Sequence, residues 1–219
     1  MSIKAIIFDM DGLMFDSERV TLEAIKKIGQ AYQYVIEDEH VHEIIGTNQK
    51  YAKKRFQERF GEDFPFEDIM KQKKVDILEY YQTEGVPKKE GLVELLEYLK
   101  EKKLPLAVAT SSYRESATFI LKKAEVFPYF DAIICGDEVT HSKPEPEIFL
   151  KAASTLGVYP EECIVIEDSE NGLIAAQKAG IRSIFVKDLV TPKNEVLAKV
   201  FKQADTLRDV IEILKSHQI

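Results

Sequence analysis

The sequence is poor in cysteine, in net positive charge and in long apolar runs, and each shortage closes off a class of protein. Its 2 cysteines, Cys135 and Cys163, each sit inside an apolar run and follow no C-x-x-C spacing. They read as reduced core thiols, not as a disulfide or a zinc site, which suits the cytoplasm. Against 38 Asp and Glu there are only 30 Lys and Arg, a net charge of -8. The resulting field repels nucleic acid and anionic membranes alike, so neither is expected as a partner. Any anion the protein binds must be held locally. No stretch approaches the ~18 apolar residues of a membrane helix. The opening MSIKAIIFD turns acidic too soon for a signal peptide. Internal repeats and low-complexity tracts are missing as well.

What is present is a chain of 219 residues, 45% hydrophobic, enough to bury one sizeable core with a smaller insert. Short runs at residues 5–8, 104–109, 131–135, 163–166 and 183–186 read as strands. They are continuously apolar, as expected when both faces of a parallel sheet are covered. Between them Leu92, Leu95, Leu96 and Leu99 repeat at helical spacing, as do Ala117, Ile120, Leu121 and Ala124, and Phe149, Ala152, Ala153 and Leu156. This alternation predicts an α/β fold, a Rossmann-like doubly wound parallel sheet. One segment breaks the rhythm. Residues 16–85 carry only helical periodicity, including Val20, Ala24 and Ile28, then Ala52, Phe56 and Phe60, then Phe66, Ile69, Met70 and Tyr81. The expected division is therefore an α/β core of residues 1–15 and 86–219 with an inserted α-helical cap domain of residues 16–85. Gly85, Pro87 and Gly91 supply turn chemistry at the return.

In open α/β sheets ligands bind off the carboxyl ends of the strands. The residues there are Asp9-Met10-Asp11-Gly12 after the first run, Thr110-Ser111-Ser112 after the second, His141-Ser142-Lys143-Pro144 beyond the third and Glu167-Asp168-Ser169 after the fourth. Carboxylates this dense repel and raise one another's pKa unless a cation neutralises them. Oxygen-only ligation selects a hard ion, and Mg2+ takes one or two carboxylates while keeping water and substrate phosphate. Asp9 and Asp168 would supply the carboxylates. Hydroxyl and amide donors at Thr110 and Ser111, with Lys143 as a point charge, would complete a phosphate clamp. The sum is a phosphoryl-transfer site.

The segments DMDGLMFDS, VATSS, SKPEPEIF and VIEDSENGLIAAQKAG resemble, in order and spacing, the four motifs of the haloacid dehalogenase superfamily. They are most similar to its β-phosphoglucomutase-like phosphatases and mutases with a helical cap, and the resemblance spans nearly the whole chain. It implies a five-stranded core with the first strand central. It also implies that Asp9 is the nucleophile that forms an aspartyl-phosphate, and that Asp11 protonates the leaving oxygen and then activates water. Mg2+ would be held by the side chains of Asp9 and Asp168 and the backbone carbonyl of Asp11, with Glu167 as a neighbouring metal-site residue. Members that attack carbon resemble this pattern except at the second aspartate, so Asp11 favours phosphate esters. The mutases resembled carry a cap-loop arginine after a glycine, where this chain has Gly46-Thr47-Asn48-Gln49. Hydrolysis is therefore the reading. A phosphosugar mutase is the alternative if Arg55 substitutes for that arginine, and a phosphate sensor without turnover is the third.

Taken singly, these residues have plainer readings. Asp9 or Asp168 alone would be a helix N-cap, and Thr110 and Ser111 would start the next helix. Lys143 would be a surface lysine, except that Pro144 and Pro146 restrict the backbone around it. Arg114 and the histidines read as solvated side chains. Together the residues describe a cytoplasmic, monomeric Mg2+-dependent phosphatase hydrolysing a small phosphorylated metabolite such as a sugar phosphate.

Overall fold

The computed structural model describes residues 2–44 and 49–219. Among them strand β1 (Ala5–Phe8) precedes helices α1 (Ser17–Ala31), α2 (Asp38–His42), α3 (Gln49–Phe60) and α4 (Phe66–Thr83). Helix and strand then alternate: α5 (Leu92–Glu101), β2 (Leu106–Ala109), α6 (Arg114–Lys123), β3 (Ala132–Ile134), α7 (Glu147–Thr155), β4 (Cys163–Glu167), α8 (Glu170–Lys178), β5 (Arg182–Val186), α9 (Asn194–Leu197), β6 (Lys202–Ala204) and α10 (Leu207–Ser216). The chain divides into two compact units, Met1–Asp16 with Val86–Ile219, and Ser17–Gly85.

The first unit is built on a parallel sheet of order β3-β2-β1-β4-β5-β6. Every side chain of β1, β2 and β4 is buried, which is why these runs are apolar up to the Glu167 that closes β4. Ile7 sits opposite Ala107 on one side and Val165 on the other. One face is dominated by alanine: Ala5, Ala107 and Ala109 from the strands meet Ala152 and Ala153 of α7 and Ala175 and Ala176 of α8 in one core. Small side chains let those helices approach the sheet closely. β6 corrects the five-strand expectation. Its residues Lys202 and Gln203 are exposed, and a short polar edge strand has no second buried face to write into the sequence. The strand order reverses between β1 and β4, which opens a crevice beyond their carboxyl ends.

The second unit is a helical bundle. Leu22, Ile25 and Ile28 of α1 share a core with Phe56 of α3 and with Ile69 and Met70 of α4. Phe56 stacks on Phe64 with ring centroids 5.0 Å apart. Gly29 lets Ile36 pack closely against α1, since a Cβ there would come 2.5 Å from Ile36 Cδ1 and push that side chain aside. Among the described residues no helix is long and apolar enough to cross a membrane. Cys135 and Cys163 are buried and free, and burial pushes both thiols up to about 11, so neither is a nucleophile near neutrality.

Candidate active site

The site begins where β1 runs out. The Asp9 N–H donates to the Ile166 carbonyl at 3.0 Å, carrying the β1–β4 ladder one residue past the strand and pinning Asp9 at the mouth of the crevice. Gly12, at φ +86, then turns the chain, and its N–H donates to the Phe15 carbonyl at 3.1 Å. Asp9 and Asp11 therefore project from a turn. The next helix starts at Ser17, so neither caps it.

The second loop follows β2, whose ladder with β3 is extended by the Thr110 N–H donating to the Ile134 carbonyl at 3.0 Å. Ser112 N–H donates to Thr110 Oγ1 at 3.0 Å, folding the loop so that Ser112 Oγ donates to Asp11 Oδ2 at 2.7 Å. Thr110 Oγ1 reaches the same oxygen at 3.3 Å. The N-cap of α6 is Tyr113, without a side-chain cap bond, so Thr110 and Ser111 do not serve as its cap. The Ser111 side chain is exposed. Its carbonyl packs on Gly136, where a Cβ would come within 2.3 Å of it. The hydroxyls that meet Asp11 belong to Thr110 and Ser112, the second of them outside the clamp expected from the sequence.

Lys143 is no surface lysine. Its side chain is 6% exposed, and its Nζ contacts Asp9 Oδ1, donates to Glu167 Oε1 at 2.8 Å and lies 4.8 Å from the Phe149 ring centroid. Burial pulls its ammonium down, but Asp9 and Glu167 outweigh that and hold it above the usual lysine range. Glu167 is wholly buried, and its Oε2 accepts from Ser169 N–H at 2.6 Å. Both of its oxygens are engaged, one of them in holding Lys143. Gly172 makes room for it, since a Cβ there would lie 1.6 Å from Glu167 Oε1. The N-cap of α8 is Ser169, accepting from Gly172 N–H at 3.1 Å, so Asp168 is not the cap either.

Charge at this edge is unbalanced. Burial lifts the Asp9 carboxyl to about 7, against the attraction of Lys143, and repulsion from Glu167 and Asp11 adds to the rise. Beside Gly12 stand Asp168 Oδ2 and Asp188 Oδ2, which a Cβ at position 12 would meet at 2.5 and 3.1 Å. Asp188 Oδ2 is buried without a hydrogen-bond partner. Clustered oxygen donors, one of them orphaned, with a gap kept open by glycine, suit a hard divalent cation.

Other residues singled out from the sequence have plainer places. Arg114 donates to the Ile133 carbonyl at 2.5 Å and contacts Glu138, tying down the loop after β3. His141 is exposed, 3.2 Å from Glu147. Gly46, Thr47 and Asn48 lie outside the described residues, and Gln49 opens α3.

Comparison with known proteins agrees with this geometry. Residues 6–186 match the model of the haloacid dehalogenase-like hydrolase family. A phosphorylated carbohydrates phosphatase of Thermotoga maritima is 32% identical, covering 84% of each chain. CbbY of Rhodobacter sphaeroides, solved in complex with phosphate, is 28% identical with a TM-score of 0.78, covering 95% of this chain and 96% of that one. The beta-phosphoglucomutase of Clostridium difficile, at 24% identity and a TM-score of 0.73 over 98% and 96% of the two chains, shares the fold.

Proposed function

The chain belongs to the haloacid dehalogenase-like hydrolases and is a phosphatase, and on that footing we propose that it hydrolyses sugar phosphates with Mg2+ through a phosphorylated Asp9. The observation that carries this reading is the meeting of three loops at the sheet edge: Lys143 between Asp9 and Glu167, and the β2 hydroxyls on Asp11. The sugar phosphate comes from the name of the Thermotoga maritima relative.

Asp9 and Asp168 would hold the metal, with the Asp11 carbonyl. When bound, Mg2+ supplies the positive charge that lets an anionic phosphate approach a carboxylate and that keeps Asp9 ionised. Asp9 Oδ attacks phosphorus, a new P–O bond forms, and the bond to the leaving alcohol breaks. Asp11 gives its proton to the departing oxygen. It then takes a proton from water, which attacks the same phosphorus and releases inorganic phosphate and a free Asp9. Lys143 neutralises a phosphate oxygen, and Glu167 fixes its position through the 2.8 Å bond. Thr110 and Ser112 aim the Asp11 carboxyl group.

Water is preferred over a second sugar hydroxyl as acceptor. A mutase must grip a distal phosphate with a bidentate cation. Arg55, the substitute for the missing cap-loop arginine, is already paired with Glu43 at 2.9 Å and Glu58 at 3.0 Å. The test is steady-state phosphate release from a panel of sugar phosphates with Mg2+ or with EDTA. Sustained Mg2+-dependent release that Asp9→Asn abolishes is expected. Isomer formation needing a bisphosphate primer would mark a mutase, and binding without turnover a sensor.

A further inference from the structure

Asp188 has no part in the reaction above, yet it is buried where an unmet carboxylate is costly. It follows β5 by two residues, and its side chain is only 5% exposed. Oδ1 accepts from Lys89 Nζ at 2.5 Å, and the same ammonium lies 3.1 Å from Asp16. Burial pulls Lys89 down, but Asp188 and Asp16 outweigh that and leave it above its ordinary value, so it stays a cation. One oxygen of Asp188 is therefore anchored. The other, Oδ2, is buried with no hydrogen-bond partner. It lies within 4.8 Å of the Asp168 carboxylate and borders the gap left by the missing side chain of Gly12.

Two carboxylates this close repel, and a buried acceptor left unmet loses its hydration without compensation. A water carried by a cation relieves both at once, because it is a polarised donor attached to positive charge. We propose that Asp188 is a positioning residue of the divalent-cation site: Oδ2 accepts a hydrogen bond from a water on the cation held by Asp9 and Asp168, while Lys89 fixes the carboxylate through Oδ1. The inference rests on the functional reading above, which supplies the cation. Mg2+ retains several waters and places them strictly, so an acceptor at the right distance selects for it. Acceptors of this kind typically contribute about 10–100-fold in metal affinity.

The test is calorimetric titration of the intact protein with MgCl2, alongside thermal melts in EDTA. Asp188→Asn keeps an oxygen that can accept from Lys89 and should still melt cooperatively in EDTA. Its Mg2+ Kd should rise about tenfold or more, and turnover should recover as Mg2+ is raised. Asp188→Ser, read the same way, serves if the first variant does not fold. A Kd unchanged from wild type in a folded variant overturns the proposal. Asp168→Asn separates the two levels: it should abolish Mg2+ binding. If it titrates like wild type, the functional reading has failed and the role of Asp188 falls with it.

Discussion

Gly172→Ala sets two rules against each other. Gly172 lies in the first turn of α8, where exchanging glycine for alanine ordinarily favours a helix by about 1 kcal/mol. Local propensity alone therefore predicts a more stable protein. Here, however, the added Cβ would lie 1.6 Å from Glu167 Oε1 and 2.0 Å from its Cδ. That carboxylate is wholly buried and bound on both oxygens, by Lys143 at 2.8 Å and by Ser169 N–H at 2.6 Å. It has nowhere to go without breaking them. Hydrogen bonds to charged groups contribute roughly 1.5–3 kcal/mol each, so losing both exceeds the gain in helix propensity by about 2–5 kcal/mol. For a chain of this size that is a fall of roughly 5–15 °C in Tm. Differential scanning calorimetry of the two proteins measures it, and kcat should drop as well because Lys143 loses its anchor. In a Glu167→Ala background the clash partner is gone, so Gly172→Ala should there stabilise the protein by about 1 kcal/mol. A variant that melts at or above wild type with full activity would refute the reasoning.

In metal-free protein Asp9 holds its proton up to about pH 7, whereas in the unfolded chain it titrates near 3.8. The stabilisation from that retained proton is complete below about pH 4 and is lost as pH rises through 7. Melts in EDTA should show the Tm of Asp9→Asn gaining on wild type across that window; Lys143 stays charged throughout and adds no slope, and a pH-independent gap would count against the assignment. Ser112→Ala should lower kcat by about tenfold or more, in the range of general acid catalysis, while Ser111→Ala keeps a near-normal kcat. Equal losses from the two serines would reverse the choice between them. Lys143→Met should raise KM for phosphate esters and lower kcat together, and full activity in that variant would remove the lysine from the site.

The parallel sheet was legible because a strand covered on both faces must be apolar at every position, as residues 5–8 and 163–166 are. β6 and α2 left no such trace: Lys202 and Gln203 form an exposed edge, and α2 spans only five residues, too few for a period to emerge. The site was legible in part for a similar reason. Asp9, Asp11 and Asp168 each sit in a loop directly past a strand and Lys143 directly before a proline, and charge there has no packing explanation. Sequence does not say which of two adjacent hydroxyls, Ser111 or Ser112, turns inward; the Thr110 Oγ1 bond decides that. Asp188 follows β5 much as Asp168 follows β4, but a lone aspartate in a polar loop looks in sequence like any surface residue. The resemblance puts Glu167 beside the metal site, and burial with the space left by Gly172 sets its carboxylate against Lys143.

The central claim is that Asp9 carries the phosphoryl group during turnover. Acid quenching of the enzyme in the steady state, followed by borohydride reduction, converts an acyl phosphate on aspartate into homoserine, which peptide mass spectrometry locates. The account predicts homoserine at position 9 in Mg2+ with substrate, and none in EDTA. Rapid phosphate release with an unmodified Asp9, or with homoserine at another aspartate, would contradict it.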